Sequence, residues 1–124
     1  MPTFEEHKVK YTHNKRFRDS GIKKEAGEFN DWEIVVIFYC VVHMLEGILY
    51  KRFHIDSEGH RERKDHMQDH PATFSQTLYL AYIQMERLAH TARYDEITSI
   101  QPRDVIKAQE YLDEIESWYA AQSA

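Results

Sequence analysis

The sequence predicts an all-α protein, an up-and-down antiparallel helical bundle of four main helices plus a short polar helix. Three observations carry that prediction. Between Asn30 and Phe53 the chain is apolar on every side, and twelve consecutive residues, Ile34 to Leu45, include no Asp, Glu, Lys or Arg. A helix of that kind has to be enclosed by others. Two further segments place apolar residues at three- and four-residue spacing, the signature of a one-sided helix. Finally, Pro2, Pro71 and Pro102 fall at element starts, and the short connections between elements favour antiparallel neighbours. With 124 residues, 42% of them hydrophobic, residues 1–124 suffice for a single domain with its own core.

Taken in order, a rather polar first helix is expected from about Thr3 to Ile22, with Phe4, Tyr11 and Phe17 as core contacts. The central helix follows from Asn30 to Phe53, capped by Asn30 or Asp31 and about 35 Å long at 1.5 Å per residue. After a turn at His54 to Asp56, Asp56 or Ser57 caps a short polar helix that stops before Pro71, because a residue preceding proline disfavours helical geometry. The next helix, about Ala72 to Tyr94, carries the stripe Phe74, Leu78, Ala81, Met85, Leu88 and Ala92. Pro102 at a first helical position opens the last, whose stripe is Val105, Ala108, Leu112, Ile115 and Tyr119, flanked by Tyr111 and Trp118.

Composition narrows function. The net charge of −5 argues against coating nucleic acid by bulk electrostatics. Residues 1–28 nevertheless hold seven Lys/Arg against five Asp/Glu, and residues 101–124 two against five, so a phosphate-binding surface belongs toward the N-terminal and middle helices. Cys40 is the only cysteine, which excludes an internal disulfide, a zinc knuckle and CxxC redox chemistry. The uncharged run is shorter than the roughly 18–20 residues that span a bilayer, and charges interrupt the N-terminus where an export signal needs an apolar stretch. A cytoplasmic protein without a membrane span is the expectation.

Chemistry is concentrated around His43 and Glu46, which share one face of the central helix with Trp32, Val36, Tyr39 and Tyr50. Buried polar groups need partners. These residues either satisfy one another in a register-fixing network or form the floor of a ligand cleft, with His43 as acid, base or donor. Five of the eight histidines, His43, His54, His60, His66 and His70, lie between positions 43 and 70. His66 and His70, four apart beside Asp65 and Asp69, have chelating spacing for zinc or nickel. The Glu-x-x-His pairs of a di-iron carboxylate bundle do not occur, and no resident metal or other cofactor is expected. Arginine forks suit phosphate. If the 60–63 turn packs near the end of the fourth helix, His60, Arg63, Arg93 and Tyr94 surround one pocket, with the ring free to stack on a base. Alternatively the arginines cap helix ends and pair with Glu62, Asp95 or Glu96. No glycine-rich phosphate loop, G-x-S-x-G elbow or H-E-x-x-H motif is present.

The pattern of Asp31, Trp32, Phe38, Tyr39, His43, Glu46, His54, Asp56, Ser57, His60 and Arg63, followed by Tyr82, Arg93, Tyr94 and a terminal amphipathic helix, resembles HEPN-domain proteins. These form a small helical superfamily of prokaryotic and eukaryotic nucleotide-binding domains, and the match covers most of the chain. The resemblance implies a bundle of four main helices, a homodimer, and a nucleotidyltransferase partner in a toxin–antitoxin system. Many members are metal-independent ribonucleases whose hallmark is an Arg, four to six intervening residues and then a His. Here Arg61 to His66 and Arg63 to His70 satisfy that spacing, although in a histidine-rich segment and not on the later helix, and Arg93 has no His in the window. The resulting expectation is a domain that binds a nucleotide or RNA segment through His43, Glu46, His60, Arg63, Arg93 and Tyr94. A ribonuclease toxin using Arg61, Arg63, His66 and His70, and a non-catalytic dimeric interaction module, are the alternatives. Aromatic residues beyond what a small core encloses, Tyr79, Tyr111, Trp118 and Tyr119, also suggest a second copy.

Overall fold

A computed structural model describes residues 2–22, 29–95 and 100–124. Five α-helices follow in order: α1 Phe4–Phe17, α2 Asn30–Phe53, α3 His60–Asp69, α4 Gln76–Tyr94 and α5 Pro102–Ser123. There is no strand among the described residues. The fold is therefore the expected helical bundle, with α1, α4 and α5 packed around α2.

Side-chain pairs give the helix directions. His7 meets His43, the Tyr11 carbonyl faces Cys40 and Arg18 meets Glu33, so α1 runs against α2. Tyr11 and Lys15 reach Glu116 while Phe4 stacks on Tyr119, so α1 also runs against α5. Phe74 meets Trp118 just ahead of α4, and Arg93 at its far end meets Tyr39. Thus α1 and α4 oppose α2 and α5, with α3 inserted as a short strut.

Burial follows the apolar pattern. Ile34, Ile37, Phe38, Val41, Met44, Leu45, Ile48 and Leu49 are fully enclosed, and α4 and α5 cover them with Leu78, Tyr82, Met85, Leu112 and Ile115. By length and composition α2 could cross a bilayer, but most of it is buried within the bundle, where it serves as the core helix. Tyr119 belongs to this same core, and Tyr79, Tyr111 and Trp118 pack against it while staying partly exposed.

Local chemistry moves several boundaries. Thr3 caps α1 by accepting from the Glu6 N–H, but α1 stops at Phe17, where a π-helical turn over Arg18–Ile22 takes over, and Phe17 is exposed, not a core contact. Neither Asn30 nor Asp31 caps α2; the chain enters from Phe29 with no side-chain cap, and Asp31 and Glu33 offset the helix dipole from within the first turn. α3 begins after Gly59, so Asp56 and Ser57 lie in the preceding turn and do not cap it. Ser75, whose side chain accepts from the Leu78 N–H, starts α4 four residues later than Ala72.

α2 ends at His54, which takes a left-handed conformation (φ 54°) while its N–H donates to the Leu49 and Tyr50 carbonyls. This cap folds residues 54–59 back along α2. Gly47 has a matching role on the side of α1: a Cβ there would lie 3.4 Å from the Phe4 ring and 3.5 Å from His7 Cβ. The close approach of α1 brings His7 to the central helix. Gly47→Ala is expected to change unfolding free energy by less than about 1 kcal/mol, since the contact is ordinary and the alanine favours helix. Gly47→Leu should cost about 1–3 kcal/mol by forcing α1 away. Denaturant melts of the two variants check the pair.

Candidate functional site

The buried polar centre of the bundle is built around Arg63, which is only 6% exposed. Its Nε donates to Glu46 Oε1 at 2.7 Å, and its Nη1 donates to Tyr82 Oη at 2.9 Å and to His60 Nδ1 at 2.8 Å. Glu46 Oε2 accepts from the Ser57 N–H at 3.2 Å, tying the 54–59 turn to α2. Tyr82 in turn donates to Glu86 Oε2, and Lys64 pairs with Glu86 Oε1 at 2.9 Å. One network therefore joins α2, the turn, α3 and α4.

Protonation states follow from these bonds. Arginine has no acceptor, so the Nδ1 of His60 must be unprotonated and its proton sits on Nε2. Burial and the adjacent Arg63 charge both lower the His60 pKa. Burial opposes the Arg63 charge, but Tyr82 and Glu46 more than offset it, and the guanidinium stays protonated. Burial also raises the Tyr82 pKa against the pull of Arg63, so its hydroxyl remains a donor.

On the other side of Glu46, His7 and His43 meet through their Nδ1 atoms at 3.0 Å. One ring donates and the other accepts. Burial pushes His43 down to about 4, helped by the neighbouring His7, and burial lowers His7 as well, against Glu46 and Asp56. Both imidazoles are neutral at neutral pH. Asp56, from the turn, completes a group in which one donor atom each of His7, Glu46 and Asp56 lie within 4.8 Å of one another.

A third cluster lies beyond Phe38. The His60 ring sits 5.4 Å from the Phe38 ring, and the Arg93 guanidinium lies 5.8 Å from the same ring and 5.4 Å from Tyr94. Arg93 Nη1 donates to Tyr39 Oη at 3.3 Å, while its Nε is buried without a hydrogen-bond partner. No carboxylate among the described residues forms an ion pair with Arg93; the proposed pairing with Glu96 lies outside them. Beside Arg93 is a groove of about 190 Å³ lined by Asp31, Trp32, Val35, Ala92, Arg93 and Asp95. Trp32 is 58% exposed, Tyr94 70% and Tyr39 39%.

The sequence candidates thus divide among different places. Glu46, His60 and Arg63 come together, but the network leaves the stripe on α2: Trp32 and Tyr39 point outward, and the partners of Glu46 come from α3 and the turn. His60 and Arg63 do not share an open pocket with Arg93 and Tyr94, because Phe38 intervenes. Of the residues with ribonuclease spacing, Arg61 is exposed and Arg63 is turned into the core; His66 lies 3.3 Å from Glu62, and His70 stacks on Phe53 at 3.8 Å. Those four do not converge, and His66 and His70 do not belong to the one group of potential metal donors found among the described residues. Sequence reasoning missed His7, the Tyr82–Glu86 extension and a second buried ion pair, Arg18–Glu33 at 3.1 Å. His7 lies on a helix of poor periodicity, 36 positions from His43, so only its residue type was a signal. Cys40 is free and buried, its thiol pushed up to about 12 by burial, and is inert at neutral pH.

Compared with family models, curated proteins and solved structures, the chain matches none.

Proposed function

We propose that this chain binds a nucleotide or a short single-stranded RNA segment across the face formed by Trp32, Tyr39, Arg93 and Tyr94. The observation that carries the reading is Arg93, a half-buried cation with an unpartnered Nε and no ion pair among the described residues, set between exposed aromatic rings. Guanidinium forks bind phosphate, and exposed rings are sequence-tolerant platforms for bases. The adjoining groove is smaller than the roughly 300–1,000 Å³ of pockets that enclose a ligand, so the ligand lies along the face with its bases stacked. Asp31 and Asp95 are acceptors for ribose hydroxyls or base amines, which leaves the phosphate to Arg93. The HEPN-like residue pattern supports the same class of ligand.

Within this reading His43, Glu46, His60 and Arg63 are supports and not contacts. Glu46, His60 and Arg63 are held in one hydrogen-bonded network, His43 bonds to His7, and His60 reaches Arg93 only through the Phe38 ring. The function is accordingly binding, with no cleavage step assigned.

Fluorescence anisotropy with short labelled single-stranded RNAs and mononucleotides tests it. A charge-assisted contact is worth about 1.5–3 kcal/mol, so Arg93→Ala should weaken binding roughly ten- to a hundredfold. Trp32→Ala should lose about 1–3 kcal/mol of stacking. Neither should shift unfolding by more than about 1 kcal/mol, since Arg93 contributes to the fold chiefly through its contact with the rings. Failure of wild type to bind below about 1 mM would refute the proposal and leave the interaction module as the better reading.

A further inference from the structure

The polar centre on the α1 side of Glu46 has the composition and spacing of a metal site. His7 comes from α1, His43 and Glu46 from α2, and Asp56 from the turn that His54 folds back. Three different segments therefore deliver imidazole and carboxylate donors to one point. Two observations set this group apart from a saturated hydrogen-bond network. The Asp56 carboxylate, half-buried and within 4.8 Å of the Glu46 carboxylate, makes no hydrogen bond or ion pair among the described residues. Next to it in the turn, Ser57 Oγ is buried without a partner.

We propose that His7, Glu46 and Asp56 bind one divalent transition-metal ion of the zinc type, with His43 orienting the His7 ring through their Nδ1 contact. The charges suit a dication: the Glu46 and Asp56 carboxylates face it, with the Arg63 guanidinium bonded to Glu46 and Lys10 near His43 as the neighbouring cations. Glu46 keeps lone pairs for the metal, because a carboxylate offers about four acceptor directions and Arg63 and Ser57 use two. Donors about 2.0–2.2 Å from a tetrahedral ion lie roughly 3.4 Å apart, so the group closes on an ion with shifts of about an ångström. Nitrogen and oxygen donors without a thiolate favour Zn²⁺, Ni²⁺ or Fe²⁺ over soft Cu⁺. Three protein donors leave the fourth position of a tetrahedral ion to water. This site is independent of the nucleotide-binding face and differs from the His66 and His70 pairing that the sequence suggested.

The test is calorimetric titration of the chelator-stripped protein with Zn²⁺, alongside visible absorption with Co²⁺ as a reporter of nitrogen and oxygen ligation. One ion per chain is expected, with a rise in Tm because the ion binds the folded state. His43→Ala should weaken affinity about 10–100-fold, the usual effect of losing a group that orients a ligand, and His7→Gln and Asp56→Asn by more than about a hundredfold. His66→Ala and His70→Ala should bind as wild type does. Asp56→Asn is nearly isosteric in a half-buried turn, so it reports on the metal even if His7→Gln fails to fold. Absence of stoichiometric binding, unchanged affinity in folded Asp56→Asn, or loss confined to the His66 and His70 variants would each overturn the site.

Discussion

Replacing Arg63 by Met is expected to lower the unfolding free energy by about 3–5 kcal/mol. Arg63 and Glu46 have side chains only 7% and 4% exposed and are paired at 2.7 Å. Removing the cation leaves a carboxylate in the core with only the Ser57 N–H as its hydrogen-bond partner. It also removes the donor to His60 and the acceptor's partner at Tyr82. The ion pair itself is not the source of so large a number, since desolvation offsets most of the attraction between buried charges. The double variant Arg63→Met, Glu46→Leu should therefore recover much of the loss, and the double-mutant cycle should show coupling well above about 0.5 kcal/mol. Urea unfolding in the presence of a chelator isolates this from any metal contribution. Additive losses would show that the two side chains do not meet as described.

Leu112→Ala should cost about 2–5 kcal/mol, from lost burial and the cavity left behind. Leu112 is fully enclosed on the inner stripe of α5, whereas Ile106 on the outer face is 62% exposed. Ile106→Ala should thus change stability by no more than about 0.5 kcal/mol. Comparing the two checks the rotation of α5 about its axis, which fixes what Tyr119 and Glu116 present to α1. The denaturation midpoint should fall for Leu112→Ala with an unchanged slope, since the surface exposed on unfolding stays the same. Equal effects at the two positions would place α5 differently on the core.

The helices themselves were legible because their signals are local. The stripe from Val105 to Tyr119 repeats at helical spacing, and an apolar run such as Ile34–Leu45 admits no exposed face. Phe17 is exposed and not a core contact because a π-helical turn follows it, and neither turn nor exposure has a distinctive residue pattern. The start of α4 differs from the expected one because Pro71 and Ala72 fit a helix beginning, while the capping bond belongs to Ser75. Such boundaries depend on which of several competent residues finds its N–H partner.

For the site, the sequence alone determined that His43 and Glu46 had to be satisfied: a polar group on a helix apolar all round is buried wherever the helix packs, and burial without a partner is costly. It also determined which residue types were available, among them Arg63, His60 and Arg93. Only the tertiary structure decided the pairings. It gave Glu46 to Arg63, set His7 against His43, turned Arg63 inward and left Arg93 facing outward beside Trp32 and Tyr94. Glu46 and Arg63 are 17 positions apart, and His7 and His43 are 36 apart. The periodicity of a helix relates only residues three or four positions apart. The longer pairings arise from how α1, α3 and the turn after His54 dock on α2, and that docking is set by the packing of all their side chains together.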